Sequence, residues 1–359
     1  MQHFARGRYA LTQAYLQSGL GPNGSLMAPA YHCRTMLDPA IRIGAKIDLY
    51  PVRHDLSPDV EALKSCMRAA TQPVKALLVP HYFGFAQNMV PLAEFCIEHG
   101  LVLIEDCSHA FAGPPLNAPS ARGTIGGTGL YCVSSPYKFF PSADGGLLWS
   151  NSPEALLPYN QSRPGLIQEI KGLVRAIRQT LAWVPPPDAG TLAEEFSTLS
   201  STDCPPGQTI EEDSADVSGQ YLPSKESLQS LVISRWIFRH SDATTLVRKR
   251  RENYQAWIDG TIKLPHCKAL FPNLPSDCTP YMFPLQIDCP EIHFHALKQL
   301  GIPIWRWDDM AVSSCRVAAD FRLKLLHLPC HQGLSFGQMQ WMIEGIQRVL
   351  STAPMGKAP

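Results

Sequence analysis

The sequence predicts an α/β protein built on a mainly parallel sheet between helices, with a smaller C-terminal α+β domain. Three observations predict it. The first half carries short, uniformly apolar runs, such as Lys75-Ala-Leu-Leu-Val-Pro80 and Leu101-Val-Leu-Ile. Amphipathic stretches separate them, and strands apolar on both faces are those of a sheet covered on both sides. After residue 150 this alternation stops and a mixture of helical and strand patterns replaces it.

Taken in order, residues 9–18 read as a helix and 25–31 and 45–52 as strands. Residues 58–70 are helical, 75–80 a buried strand, 89–99 helical, and 101–106 another buried strand. Residues 128–133 and 146–149 complete the strands of the first half. Ile167, Ile170, Leu173, Val174, Ile177 and Leu181 recur at helical spacing, and Pro185-Pro-Pro187 ends that helix. Lys and Arg are missing from 179 to 224, where Ser, Thr, Pro, Asp and Glu dominate, so 185–222 is expected to be an acidic, mobile loop. A helical region is expected over 224–258. Strands are expected at 281–287 and 302–307 and helices at 291–300 and 336–351. The expected division is a large domain over 1–184, the loop, and a helical connection with a small domain over 223–359. The run Arg248-Lys-Arg-Arg251 is expected to be a solvated helix face.

Composition narrows the function. Of 359 residues, 31 are Lys or Arg and 31 Asp or Glu, so no global field attracts nucleic acid or an anionic membrane. The 11 cysteines include no CxxC pair, and several sit in apolar stretches, such as Cys96 and Cys132. That pattern suits reduced thiols in a cytoplasmic protein. There is no apolar signal core at the start and no run long enough to span a membrane. A charged ligand must therefore be caught locally, and neither nucleic acid nor membrane is expected as a partner. No metal site is expected.

Three segments carry chemistry. In Ser134-Ser-Pro-Tyr-Lys138-Phe-Phe-Pro-Ser-Ala-Asp-Gly145-Gly146, a lysine follows an apolar strand and precedes a glycine pair. Partial desolvation there lowers an amine's pKa and frees it for a Schiff base; a surface lysine in a loop is the plainer alternative. In Leu101-Val-Leu-Ile-Glu-Asp106-Cys-Ser-His109-Ala, a carboxylate ends a buried parallel strand, where open α/β sheets bind ligands. Such an aspartate can hold a pyridine nitrogen protonated, or it can simply cap a helix. His109 can stack on a ring or be an ordinary histidine at a helix start. The third segment, Ala5-Arg6-Gly7-Arg8-Tyr9-Ala10-Leu11, opens a helix at a glycine; such a place suits a phosphate, and taken alone it reads first as an ordinary helix start.

Phosphate cradle, carboxylate and lysine follow one another in that order, with about 30 residues between Asp106 and Lys138. The chain then resembles the DegT/DnrJ/EryC1/StrS family of pyridoxal-phosphate-dependent sugar aminotransferases. The matching segments are Ala28-Pro29-Ala-Tyr31-His-Cys, Gly44-Ala45, Val79-Pro-His81-Tyr-Phe-Gly84, Ile104-Glu-Asp106-Cys-Ser-His109-Ala, Gly123-Thr-Ile-Gly126, and Lys138 with Gly145-Gly146. Fainter echoes are Arg250-Arg-Glu-Asn-Tyr254, Tyr281-Met-Phe-Pro284 and Leu328-Pro-Cys-His-Gln332.

The resemblance implies the aspartate-aminotransferase-like fold type I and a homodimer with active sites at the subunit interface. It implies pyridoxal 5'-phosphate bound to Lys138 as a Schiff base, Asp106 on the pyridine nitrogen, and His109 near the cofactor. Ser134 or Ser135, with the turn Gly7, Arg8 and Tyr9, would hold the phosphate. The implied activity moves an amino group from Glu or Gln to a keto group of a nucleotide-linked sugar, in polysaccharide or glycoconjugate biosynthesis. A relative that binds the cofactor and acts by regulation is the alternative. The chain departs from the family at three places. It starts almost at the phosphate helix, Cys132 or Val133 stands where the family has a serine, and Gly219-Gln-Tyr-Leu-Pro-Ser224 replaces the loop that reaches the neighbouring subunit's phosphate. A ring-stacking residue would fall near Tyr31 to Cys33.

Overall fold

In the computed structural model, seven strands form one sheet in the order β1-β7-β6-β5-β4-β2-β3. The strands are β1 Gln2–Phe4, β2 Ser25–Pro29, β3 Lys46–Tyr50, β4 Val74–Pro80, β5 Val102–Asp106, β6 Tyr131–Ser134 and β7 Gly146–Ser150. The structure describes residues 1–111, 124–181 and 217–351. Neighbours from β3 to β6 pair in parallel, as the apolar runs predict. The sheet closes with two antiparallel pairings, β6 with β7 and β7 with β1.

That reversal matters for what gathers at the sheet's edge. Parallel pairing puts Pro29, Tyr50, Pro80, Asp106 and Ser134 at one edge. Because β7 runs the other way, its first residue, Gly146, lies at that same edge, and Phe4 of β1 is its partner. The chain leaving β1 therefore delivers the start of helix α1 (Gly7–Gln17) to the carboxyl ends of the parallel strands.

Helices α2 (Arg34–Arg42), α3 (Val60–Ala69) and α4 (Val90–His99) follow β2, β3 and the 3-10 turn Tyr82–Gly84. Asp59 caps α3 by accepting the Glu61 N–H at 2.9 Å, and Gly100 ends α4 in the left-handed region at φ 65°. Helix α2 is not evident in the sequence, where Pro39 interrupts it without breaking it. The strand expected from 128 starts at Tyr131, because Glu105 takes the N–H groups of Thr128 and Gly129.

The chain divides into two compact units. Among the described residues, the first holds 1–111, 124–181, 217–242 and 309–319; the second holds 243–308 and 320–351. The expected boundary near residue 223 falls instead at Asp242 and Ala243. Ser241 takes an extended conformation that breaks the expected helix 224–258 into α6 (Val232–His240) and α7 (Ala243–Thr261). Helix α5 (Leu166–Leu181) belongs to the first unit. Of the expected loop 185–222, residues up to 216 lie outside the described part, as do Gly123 and Pro185 to Pro187.

In the second unit β8 (Cys267–Ala269), β9 (Met282–Ile287) and β10 (Leu325–Pro329) form an antiparallel sheet in the order β10-β9-β8. Helices α8 (Pro290–Gln299) and α10 (Phe336–Ser351) belong with it, and α9 (Arg316–Lys324) leads into β10. The strand expected at 302–307 is reduced to a single bridge, Trp305 to His327, since Pro303 offers no N–H to a ladder. The basic run is only half solvated. Arg248 and Lys249 are exposed, but Arg250 is 1% exposed and donates to Gln332 Oε1 at 2.8 Å and to the Pro280 carbonyl at 3.1 Å.

Candidate active site

Strand alternation sends the two carboxylates at the end of β5 to opposite faces. Asp106 is 2% exposed, and its Oδ1 accepts the Ser108 N–H at 2.8 Å. It stands beside Pro80 of β4 and Val133 of β6. Cys107 N–H bonds the Val133 carbonyl at 2.7 Å, which locks the two strand ends together.

The next residues of β6 are Ser134 and Ser135, both buried. The Ser134 hydroxyl has no hydrogen-bond partner among the described residues. Ser135 donates to the Ser108 hydroxyl at 3.0 Å. A 3-10 turn, Pro136–Lys138, then carries the half-buried Lys138, whose N–H bonds the Ser135 carbonyl at 3.0 Å. Gly7 lies over this turn. The glycine pair has a steric origin too: Gly145 sits at φ 141°, and a Cβ on Gly146 would come within 2.3 Å of the Arg6 carbonyl carbon.

The expected site residues thus separate into two groups. Asp106, Ser134, Ser135, Lys138 and Gly7 gather at the ends of β5 and β6. The side chains of Arg8 and Tyr9 turn the other way. Arg8 donates to the Gln220 carbonyl and, at 3.5 Å, to its side chain. Tyr9 Oη accepts the Leu222 N–H at 3.3 Å and packs edge-on against Tyr221, while its own N–H bonds Arg6. The segment Gly219–Ser224 is thereby held on the first unit's own α1, and Ser218 ties it to Asp38 with bonds of 3.0 and 2.6 Å.

His109 is 8% exposed, with its ring 5.8 Å from that of Phe83. Phe83 holds φ 56°, a left-handed conformation uncommon for an aromatic residue. Tyr31 is fully buried and its carbonyl accepts the Tyr82 hydroxyl. His32 is also buried, with Nδ1 3.0 Å from the Pro29 carbonyl and Nε2 accepting the Ala311 N–H at 3.0 Å.

Three contributors escaped the sequence: Ser108, Phe83, and the pair His81 and Glu105. Glu105 is 0% exposed and accepts from Gly126 N–H at 2.8 Å, Thr128 N–H at 2.7 Å and Gly129 N–H. His81 Nε2 lies 2.8 Å from Glu105 Oε2, and its Nδ1 accepts the Gln87 N–H at 3.1 Å. A ring whose Nδ1 accepts carries a proton on Nε2, so His81 Nε2–H donates to Glu105. Burial alone would raise the Glu105 carboxyl; the bonds from His81, Gly129 and Gly126 overcome it and hold it below the ordinary range. His81, Glu105 and Cys107 place potential ligand atoms within 4.8 Å of one another, but the carboxylate and both ring nitrogens are committed to these bonds. A Glu-Asp pair at a strand end was the available signal.

Residues 4–158 match the DegT/DnrJ/EryC1/StrS aminotransferase family. The "Pleiotropic regulatory protein" of Geobacillus stearothermophilus is 30% identical over 158 residues, 41% of this chain and 39% of that protein. The dTDP-4-dehydro-2,3,6-trideoxy-D-glucose 4-aminotransferase of Saccharopolyspora spinosa is 31% identical over 137 residues, 38% of this chain and 34% of that one. The chain thus aligns with little more than a third of these relatives' length. Solved structures reach further. The aminotransferase TlmJ from Streptoalloteichus hindustanus superimposes with a TM-score of 0.65 and 19% identity, covering 98% of this chain and 85% of its own. PseC from Helicobacter pylori, an aminotransferase, gives 0.65 and 16%, covering 97% and 86%. At these identities the likeness establishes the fold, which is that of the fold-type-I aminotransferases. The DegT/DnrJ/EryC1/StrS segment contains all eight expected site residues.

Proposed function

We propose that this chain is a pyridoxal-phosphate-dependent aminotransferase. It would move an amino group from glutamate or glutamine to a keto group of a nucleotide-linked sugar, as a cytoplasmic homodimer serving polysaccharide or glycoconjugate synthesis. One juxtaposition carries the reading: Asp106, paired across the sheet with Val133, stands beside the strand end that continues into Ser134, Ser135 and Lys138.

The residues fit the cofactor on three counts. The buried Ser134 hydroxyl lacks a partner among the described residues. Gly7 lets the positive end of α1 approach the hydroxyls of Ser135 and Ser108 closely. The buried Asp106 carboxylate sits at the carboxyl end of a parallel strand. Pyridoxal phosphate, when bound, supplies a ring that withdraws electrons from the reacting carbon. Asp106 would hold the proton on the ring nitrogen. The hydroxyls of Ser134, Ser135 and Ser108, with the Gly7 turn, would hold the phosphate. His109 and Phe83 would line the ring. Lys138 Nζ would hold the cofactor covalently, accept the proton released from the donor's α carbon, and return one to the acceptor carbon. The sugar reading is supported by relatives such as the S. spinosa enzyme and the GDP-perosamine synthase of Vibrio cholerae, 28% identical over 149 residues.

Borohydride reduction of the purified protein followed by peptide mapping tests this. The label is expected on Lys138; a label on Lys75 or Lys225 instead overturns the assignment. A second reading, cofactor binding with a regulatory role, is favoured by the name of the G. stearothermophilus relative. A yellow protein whose colour persists when glutamate or glutamine is added would support it, whereas bleaching supports the transaminase.

A further inference from the structure

Helix α5 is turned the opposite way from a helix that serves a core. Its residues Leu166, Ile167, Ile170, Leu173, Val174 and Ile177 are between 43% and 76% exposed. Their three- and four-residue spacing puts them in one stripe. The side packed inward is made of small residues. A Cβ on Gly172 would come within 2.2 Å of Leu231 Cδ1, and Ala176 is buried. Glu169, the helix's one acidic residue, is spent on the inward side, accepting the Val232 N–H at 2.8 Å and the Ile233 N–H at 3.4 Å.

Lys171, Arg175 and Arg178 are exposed beside the stripe, and none forms an ion pair within the described residues. Helix α6, packed against α5, adds exposed Val232, Trp236 and Arg239 and contains no acidic residue. The result is an aliphatic stripe flanked by charge of one sign, in a chain whose net charge is zero.

We propose that α5 and α6 form a docking surface for an anionic phospholipid membrane. The helix would lie in the headgroup layer, its stripe toward the acyl chains and Lys171, Arg175 and Arg178 on lipid phosphates. Charge selects this occupant. Centred on a two-fold axis with a second copy, the patch would meet itself, setting cations against cations with no outward carboxylate on either described helix to offset them. An anionic leaflet supplies the missing sign along the whole helix, about 24 Å at 1.5 Å per residue. No helix among the described residues is long and apolar enough to cross a membrane, so the contact is peripheral. The expectation of no membrane partner rested on net charge and on the lack of a spanning run, and neither registers a local amphipathic face. The proposal does not depend on the transaminase reading.

The test is co-sedimentation of the full chain with phosphatidylcholine vesicles made with and without phosphatidylglycerol. Binding is expected only with phosphatidylglycerol, with release as ionic strength rises. Ile170→Glu with Ile177→Glu, both at exposed positions, should weaken binding about tenfold or more while the circular dichroism and thermal midpoint stay unchanged. Arg175→Glu with Arg178→Glu should do the same through charge alone, which keeps the test valid if the first variant misfolds. Failure of the folded chain to pellet with phosphatidylglycerol, or equal binding to both vesicles, overturns the proposal. So does a dimer dispersed by Ile170→Glu in a chain that ignores vesicles, since a second copy would then cover the stripe.

Discussion

Gly7 approaches Ser135 so closely that a Cβ at residue 7 would lie 2.2 Å from the Ser135 hydroxyl oxygen and 3.3 Å from that of Ser108. The start of α1 and the turn before Lys138 are packed to the limit that a glycine allows. Gly7→Ala should therefore push Ser135 off Ser108. Overpacking of this kind costs about 1–3 kcal/mol. If the two serines hold the phosphate, titration of the apo-protein with pyridoxal phosphate should show affinity falling about tenfold. Unchanged affinity would remove this turn from the phosphate site.

Asp106→Asn should keep the fold and lose most activity. An amide can still accept the Ser108 N–H, so the turn survives. It cannot hold a proton on a pyridine nitrogen. Steady-state assays should show turnover down by about 100-fold or more, in the range of a lost acid–base partner. Turnover within a few-fold of the parent would leave Asp106 as a turn residue only.

Arg8→Ala should barely change cofactor affinity. The guanidinium is directed at Gln220, so the loss falls on the anchoring of Gly219–Ser224 to α1. A stability loss of about 0.5–1.5 kcal/mol in urea unfolding is expected. A tenfold loss in pyridoxal phosphate affinity would return Arg8 to the phosphate site.

Glu105→Gln should destabilise the protein by about 2–3 kcal/mol, because an NH2 group would face backbone donors that now reach a carboxylate. The pH dependence has a definite sign. The folded carboxyl is held below its unfolded value, so its contribution is present above about pH 4.3 and is lost as pH falls through the folded value. Denaturation across that acid range should show the stability gap between parent and variant closing as pH drops. A gap independent of pH would mean that Glu105 is not ionised in the fold.

The sequence by itself determined the parallel sheet, because runs such as 75–80 and 101–106 are apolar on both faces and only a doubly covered sheet buries them. It also placed Asp106 at a strand end and Lys138 between a strand and the glycine pair, since a strand end and a close backbone approach leave local marks in residue type. Tertiary structure decided the rest. Whether Arg8 meets a phosphate or Gln220 depends on a segment 212 residues away. The reversal of β7, which brings Gly7 over Ser135, is a pairing choice that residue type does not record. The periodicity of residues 166–177 establishes an amphipathic helix but not its orientation. Gly172 and Ala176 packing inward turned its aliphatic side outward, because orientation is set by the partner a helix finds and not by the period of its sequence.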